Sequence, residues 1–227
     1  MTHKISFSYT AWSMWKKCPL AYKFAKIDKV PVPDKPAFEK GRRVHRAMEQ
    51  YVKGESDARP KEAGQFTTLA DGLRAVPDEL KIVEQQMAFD VDQRPCAWFG
   101  KNAFYRFIWD AAVLDDAKQP QHIEMADWKT GRPYGAYDEQ MQLFSIPAFL
   151  LYPSLQSFAG NLVYLEHGDT VRTVYTRHQF ENGLNDLWRG NASMMAADQS
   201  FQPKPSKEAC KFCDFHPSKG GPCTVGV

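Results

Sequence analysis

His122-Ile123-Glu124-Met125-Ala126-Asp127-Trp128-Lys129-Thr130-Gly131 reads as a short strand that carries an acid and a lysine two residues apart and stops at a turn glycine. Side chains alternate faces along a strand, so Asp127 and Lys129 point the same way with α-carbons roughly 6.5 Å apart. A carboxylate placed so can hold a divalent cation, with the ammonium close to the water that the cation activates. The pattern acid-x-Lys occurs three times, at Glu79-Leu80-Lys81, Asp116-Ala117-Lys118 and Asp127-Trp128-Lys129. Its surroundings have to choose among them.

Working outward, period-two patterning predicts a strand over Lys81–Val91, with Ile82, Glu84, Gln86 and Ala88 on one face and Val83, Met87, Phe89 and Val91 on the other. A turn at Asp92-Gln93-Arg94-Pro95 follows, with Cys96 expected as a small buried residue near it. A second strand is predicted over Ala103–Leu114, where Phe104, Arg106, Ile108, Asp110, Ala112 and Leu114 share a face. The loop 115–121 makes this strand the antiparallel neighbour of the opening one and brings Asp110 towards Asp127. Both acids stand among apolar residues, which is costly unless the charge is paired or bound to a metal. The two other acid-x-Lys matches lack this setting. Asp116 lies in the hairpin loop, and Glu79 lies where Pro77-Asp78 enters a strand with no second strand acid before it.

Beyond Gly131-Arg132-Pro133 a helix is expected from about Ala136, with Gln140, Phe144, Ala148 and Leu151 along one side and a kink at Pro147. A hairpin of Ser157–Leu165 and Val171–His178 comes next, then a helix over Gln179–Ala197 that buries Phe180, Leu184, Leu187 and Trp188. Towards the N-terminus, residues 6–26 read as a helix entered at the cap cluster Ser6-Phe7-Ser8-Tyr9-Thr10. The proline-rich run Val30–Pro36 is an extended linker. A helix over Ala37–Lys53 then carries the apolar stripe Val44, Met48 and Tyr51, with His45 at its edge as either a satisfied core residue or a ligand. Gly41, one turn earlier, would leave the imidazole accessible. Residues 54–77 read as a loop with a short helix.

A chain of 227 residues with 43% hydrophobic content can bury a substantial core, and one compact unit with an appended terminus is expected. The longest apolar run, Ile146–Tyr152, is far short of the roughly 20 residues that span a bilayer. The N-terminus lacks the apolar core of a secretion signal, so a soluble cytoplasmic protein with no membrane partner is expected. Net charge is only +2, but residues 1–46 hold eleven Lys and Arg against three acids, a net +8 that leaves −6 for the remainder. That run is either a solvated helical face or, with Trp12, Trp15, Tyr22, Phe24 and Phe38 interleaved, a platform for single-stranded nucleic acid. The five cysteines, at 18, 96, 210, 213 and 223, are an odd set without a secretion signal, which argues against a disulfide framework. Cys210-x2-Cys213 with Cys223 nearby looks like part of a metal site.

Taken in order, Gly41-x3-His45, Glu84, Asp110, Asp127-x-Lys129-Thr130-Gly131 and Gln140-x3-Phe144 resemble the RecB-type branch of the PD-(D/E)XK nuclease superfamily. The flanks Ser8-Tyr9-Thr10-x7-Cys18-Pro19 and Cys210-x2-Cys213-x9-Cys223 look like its iron-sulfur subgroup, which includes the CRISPR-associated exonucleases and the nuclease domain of the AddB helicase subunit. The resemblance covers nearly the whole chain and rests on ordered co-occurrence. It implies an α/β fold of restriction-endonuclease type, a central mixed sheet flanked by helices, with the N- and C-terminal segments joined by a metal cluster. It also implies one nuclease domain over 1–227, composed of a basic aromatic segment (1–36), a nuclease core (37–200) and a cysteine tail (201–227).

Carried over by residue, the resemblance makes His45, Asp110 and Asp127 ligands of Mg2+ or Mn2+ and Lys129 the catalytic lysine. Gln140 orients Lys129 or the phosphate, and Glu84 supports the site from outside the ligand set. Phe144 stands where the family pattern usually has Tyr. Cys18, Cys210, Cys213 and Cys223 would hold a [4Fe-4S] cluster or, as the alternative, zinc, with His216 in reserve for Cys223. The implied function is a metal-dependent DNA exonuclease, with some endonuclease activity, that prefers single-stranded DNA ends and serves recombination, repair or spacer processing in the host cytoplasm. Two other readings are a catalytically weak DNA-binding partner of recombination or CRISPR-adaptation proteins and a zinc-stabilised nucleic-acid adaptor.

Overall fold

The computed structural model describes residues 5–133 and 137–227, with only the backbone of Tyr137. In chain order it contains α1 (Tyr9–Lys17), α2 (Pro19–Tyr22), α3 (Pro36–Val52), α4 (Thr67–Ala75), β1 (Lys81–Phe89), β2 (Pro95–Cys96), β3 (Tyr105–Leu114) and β4 (His122–Lys129). These are followed by α5 (Tyr137–Leu151), β5 (Ser157–Tyr164), β6 (Asp169–Thr176), α6 (Arg177–Gln179), α7 (Asn185–Ala197) and α8 (Lys207–Lys211). The expected start of α5 near Ala136 lies outside the described residues. Among them, no helix is long and apolar enough to cross a membrane.

The chain divides into two compact units, Lys35–Leu187 and the N-terminal segment to Asp34 with Trp188–Val227. The larger holds a six-stranded mixed sheet in the order β2-β1-β3-β4-β5-β6. Only β4 and β5 pair in parallel, because α5 carries the chain from the end of one to the start of the other. One face is covered by α3 and α4, whose Val44, Met48, Tyr51, Val52, Ala70 and Leu73 pack on Ala111, Ala126, Trp128, Val163 and Leu165. The other face takes α5. A Cβ at Gly160 of β5 would lie 2.5 Å from Met141 Sδ, so glycine there lets helix and strand approach closely.

Strict alternation along β3, expected from the sequence, fails at Asp110. Phe158 and Gly160 share the α5 face of β5, and Trp109 packs on Phe158 with ring centroids 5.6 Å apart. Ala111, only two residues on, belongs to the α3 core. The neighbouring strand shows the cause. Glu84 has φ 49°, in the left-handed region that a residue with a Cβ enters at a cost, and its pairing with Asp110 is missing from a ladder otherwise regular from Lys81↔Val113 to Phe89↔Tyr105.

The smaller unit is built on aromatic packing. Trp12 stacks on Trp15 (5.4 Å) and meets Phe7 and Trp188, and Trp15 Nε1 donates to Asp198 (2.8 Å). Tyr22 stacks on Phe201 and Phe24 packs on Phe215. Trp12, Trp15 and Tyr22 are buried, so they are core residues and not a stacking platform, a correction to the sequence reading. The helix expected over 6–26 is broken at Cys18 (φ −162°), where Pro19 begins a new turn. The helix expected over 179–197 is broken at Asn182 and Gly183, which shifts its phase and leaves Leu187 exposed instead of buried. Cys96, expected to be buried, is half-buried on the short edge strand β2.

Candidate active site

The site lies where two adjacent strands part. The β3–β4 ladder runs from Leu114↔Ile123 to Ala111↔Ala126 and ends there, although the same register would next set Asp110 opposite Asp127. β4 continues beside β5 as far as Lys129↔Tyr164. At the fork, the Trp128 N–H that loses its ladder partner donates instead to Asp110 Oδ2, at 2.7 Å. A backbone donor in a buried position needs a partner. Supplying it from a carboxylate fixes Asp110 at the opening.

From this anchor Asp110 reaches α3, where its Oδ1 lies 3.2 Å from His45 Nδ1. Glu84 Oε1 lies 4.0 Å from the same nitrogen. Ligand atoms of His45, Glu84 and Asp110 all fall within 4.8 Å of one another, the one such set of His, Cys, Asp or Glu among the described residues. Asp127 is not in that set. Its Oδ1 accepts from Gln140 Nε2 of α5 (3.1 Å), and its Oδ2 forms an ion pair with Lys129 Nζ at 2.5 Å. The structure therefore brings together all of His45, Glu84, Asp110, Asp127, Lys129 and Gln140, in two linked groups. Phe144, one turn after Gln140, is buried.

The groups feel one another strongly. Burial alone would lower the His45 pKa, but its hydrogen bond to Asp110 and the charges of Asp110, Asp127 and Glu84 raise it to about 9. Burial and the Asp110 charge push the Glu84 carboxyl up to about 7 against the pull of His45. Asp127 is also raised, first by burial and then by Asp110, while Lys129 and His45 hold it down. Carboxylates crowded in low dielectric with one imidazole form a donor set that a divalent cation suits.

The other two acid-x-Lys matches have local partners. Asp116 caps its own loop through the Lys118 and Gln119 N–H groups. Lys81 pairs with Asp78 and donates to the carbonyls of Val52 and Arg74. Sequence reasoning placed Glu84 outside the ligand set, whereas the structure puts it within reach of His45 and Asp110. The register Glu84–Asp110 could have been inferred from the hairpin, but not the left-handed backbone that turns both side chains to α3.

In the smaller unit, Cys18, Cys210, Cys213 and Cys223 line one cavity of ≈ 360 Å³ together with Met14, Phe24, Phe215 and His216. The Cys213 thiol is pushed up by burial and by the nearness of Cys18, Cys223 and Cys210. The tail is held to this shape by close backbone contacts. Cys223 N–H donates to Phe215 O (3.0 Å), and a Cβ on Gly221 would fall 2.2 Å from the Phe215 carbonyl carbon.

The family model described as the PD-(D/E)XK nuclease superfamily matches residues 6–112, a span that includes His45, Glu84 and Asp110 and stops before Asp127. The match covers a little under half of the chain. A solved structure titled "Crystal structure of SSO0001" is similar at 12% identity, covering 92% of this chain and 82% of that chain, with a TM-score of 0.44. No curated protein matches the chain.

Proposed function

We propose that this protein is a metal-dependent deoxyribonuclease, an exonuclease that prefers single-stranded DNA ends and carries a [4Fe-4S] cluster. The observation that supports the nuclease reading best is the fork itself. His45, Glu84 and Asp110 converge as cation donors directly beside the Asp127–Lys129 pair. Asp127, whose charge is felt by His45, is the fourth candidate donor.

A Mg2+ or Mn2+ ion held there supplies Lewis acidity towards a phosphate oxygen and eases deprotonation of water. The imidazole of His45 makes the donor set more tolerant of Mn2+ than oxygen ligands alone. The residues of the chain do the rest. Trp128 N–H holds Asp110, and Gln140 orients Asp127. Lys129, fixed against Asp127, presents a cation that stabilises charge developing on the phosphorus oxygens and donates hydrogen bonds that orient the attacking water.

The four cysteines line one cavity, and the Cys213 thiol feels the other three. By the sequence resemblance they would hold a [4Fe-4S] cluster, with zinc as the alternative. By that resemblance the role lies in recombination, repair or spacer processing.

Purification without oxygen, followed by a visible spectrum, iron and sulfide assay, and incubation with end-labelled single- and double-stranded DNA plus manganese, tests the proposal. Brown protein that degrades single strands from an end is expected. Asp127→Ala should abolish the activity, and Lys129→Met should lower kcat by about 10²- to 10⁴-fold. Intact DNA with a gel shift would replace the reading by a DNA-binding partner, and a colourless protein retaining zinc by an adaptor.

A further inference from the structure

From Arg106 to Asp110, β3 alternates regularly. Phe107 packs on Phe89, Trp109 packs on Phe158, and both are buried, so Arg106, Ile108 and Asp110 take the opposite, α3-side face. Their cross-strand partners on β1 are Ala88 for Arg106 and Gln86 for Ile108, and Glu84 stands opposite Asp110. No acid lies on this strip beyond Glu84 and Asp110. Ile108 is 37% exposed and Gln86 is exposed, so among the described residues no helix covers the strip there.

At its far end the Arg106 guanidinium lies 5.5 Å from the centroid of the Trp98 ring. Among the described residues, Arg106 Nε is buried without a hydrogen-bond partner. Arg106 as a whole is half-buried, as is Trp98, so the strip ends on a cation set beside an aromatic ring, and a guanidinium carries five N–H donors suited to phosphate oxygens. Four residues of strand set Arg106 about 14 Å from Asp110. That length corresponds to about four stacked nucleotides at the roughly 3.4 Å rise of one strand, and to fewer in an extended one.

Building on the nuclease reading, we propose that this strip is an extended subsite for the DNA strand being cut. The polynucleotide would run along β3 from the cation donors, across Ile108 and Gln86, to Arg106 and Trp98. Arg106 binds a phosphate there and Trp98 offers its ring to a base. The contact lies away from the scissile bond, so it acts on affinity for longer strands and not on the chemical step. The N-terminal tryptophans of the smaller unit are buried and cannot serve this purpose, whereas Trp98 is half-buried beside Arg106.

The test compares wild type with Trp98→Ala, Arg106→Gln and Ile108→Glu. Binding of fluorescein-labelled oligo-dT of increasing length is measured by anisotropy with calcium present, together with manganese-dependent hydrolysis of long oligo-dT and of bis-p-nitrophenyl phosphate. Wild type is expected to bind more tightly with length until the strip is filled. Trp98→Ala and Arg106→Gln should lose that gain and raise KM for long oligo-dT roughly tenfold, within the range for loss of one stacked base, while hydrolysis of the small ester stays unchanged. Ile108→Glu, at an exposed position that tolerates a charge, should act likewise by repelling the strand. Unaltered length dependence in the three variants, or a lowered melting temperature with unaltered binding, would overturn the subsite and leave the nuclease reading standing. Failure of wild type to hydrolyse either substrate while the length dependence persists would overturn the nuclease reading alone.

Discussion

Glu84, Asp110 and His45 are the residues whose charges the fold sets against one another. Glu84 and Asp110 are like charges facing each other across two strands, an arrangement that is unfavourable unless a cation intervenes. In the metal-free protein a proton takes that part. The folded-state values of both His45, about 9 against 6.5, and Glu84, about 7 against 4.5, are raised. Each group therefore contributes stability that is full below its unfolded value and is lost as pH rises through its folded value. The metal-free protein should lose stability from these two groups between about pH 4.5 and 9. Manganese should oppose the loss most at the alkaline end, where it no longer competes with protons. Denaturant midpoints across this range, with and without manganese, check the sign. Glu84→Gln should flatten the lower part of the slope and His45→Gln the upper part. A metal-free midpoint that rises with pH in wild type and is unaffected by both substitutions would contradict the assignment.

At the scale of the element, the fork between β3 and β4 and the left-handed turn at Glu84 do one job between them. Regular strands would have sent Glu84 and Asp110 onto the face of Ala112 and Met125, away from α3. The broken pairing at Glu84 and Asp110 lets both carboxylates reach His45. Strain of this kind, of order 1–3 kcal/mol, persists where the surroundings over-determine it and collects at functional sites. Glu84→Gly should remove both the strain and the crowded charge, and so raise the unfolding free energy of the metal-free protein by about 1 kcal/mol while weakening manganese binding. Glu84→Val puts a β-branched side chain at the same φ and should destabilise by about 1–3 kcal/mol instead. Urea unfolding of the two variants separates the backbone effect from the loss of the carboxylate.

On the scale of the whole molecule, the chain builds two units whose chemistry differs. Lys35–Leu187 gathers carboxylates and a lysine at the end of a sheet, and the terminal segments together gather thiols in a cavity. If the four thiols act as one ligand set, Cys18→Ala and Cys213→Ala should each cut the iron and sulfide content of anaerobically purified protein severely. Cys96→Ala, on β2 of the other unit, should leave it unchanged. Gly221→Ala, which would drive a methyl group into the Phe215 backbone, should lower cluster content without removing any ligand.

Much of this architecture was legible in the chain itself. Period-two patterning located β1, β3 and β4, and the ordered set His45, Glu84, Asp110, Asp127, Lys129 and Gln140 named the residues that the fold brings together. These signals are local: alternation, turn residues and the cost of a buried acid act over a few positions, and they can be read from one strand or hairpin at a time. Which residues touch was decided by tertiary structure. The slip at Asp110 depends on the backbone of a neighbouring strand, the burial of Trp12, Trp15 and Tyr22 on Trp188 and Phe201 far along the chain, and the exposure of Leu187 on a helix broken at Gly183. Sequence periodicity assumes that each element is regular and meets solvent on one side, whereas packing between distant segments chooses where it bends and which side is covered.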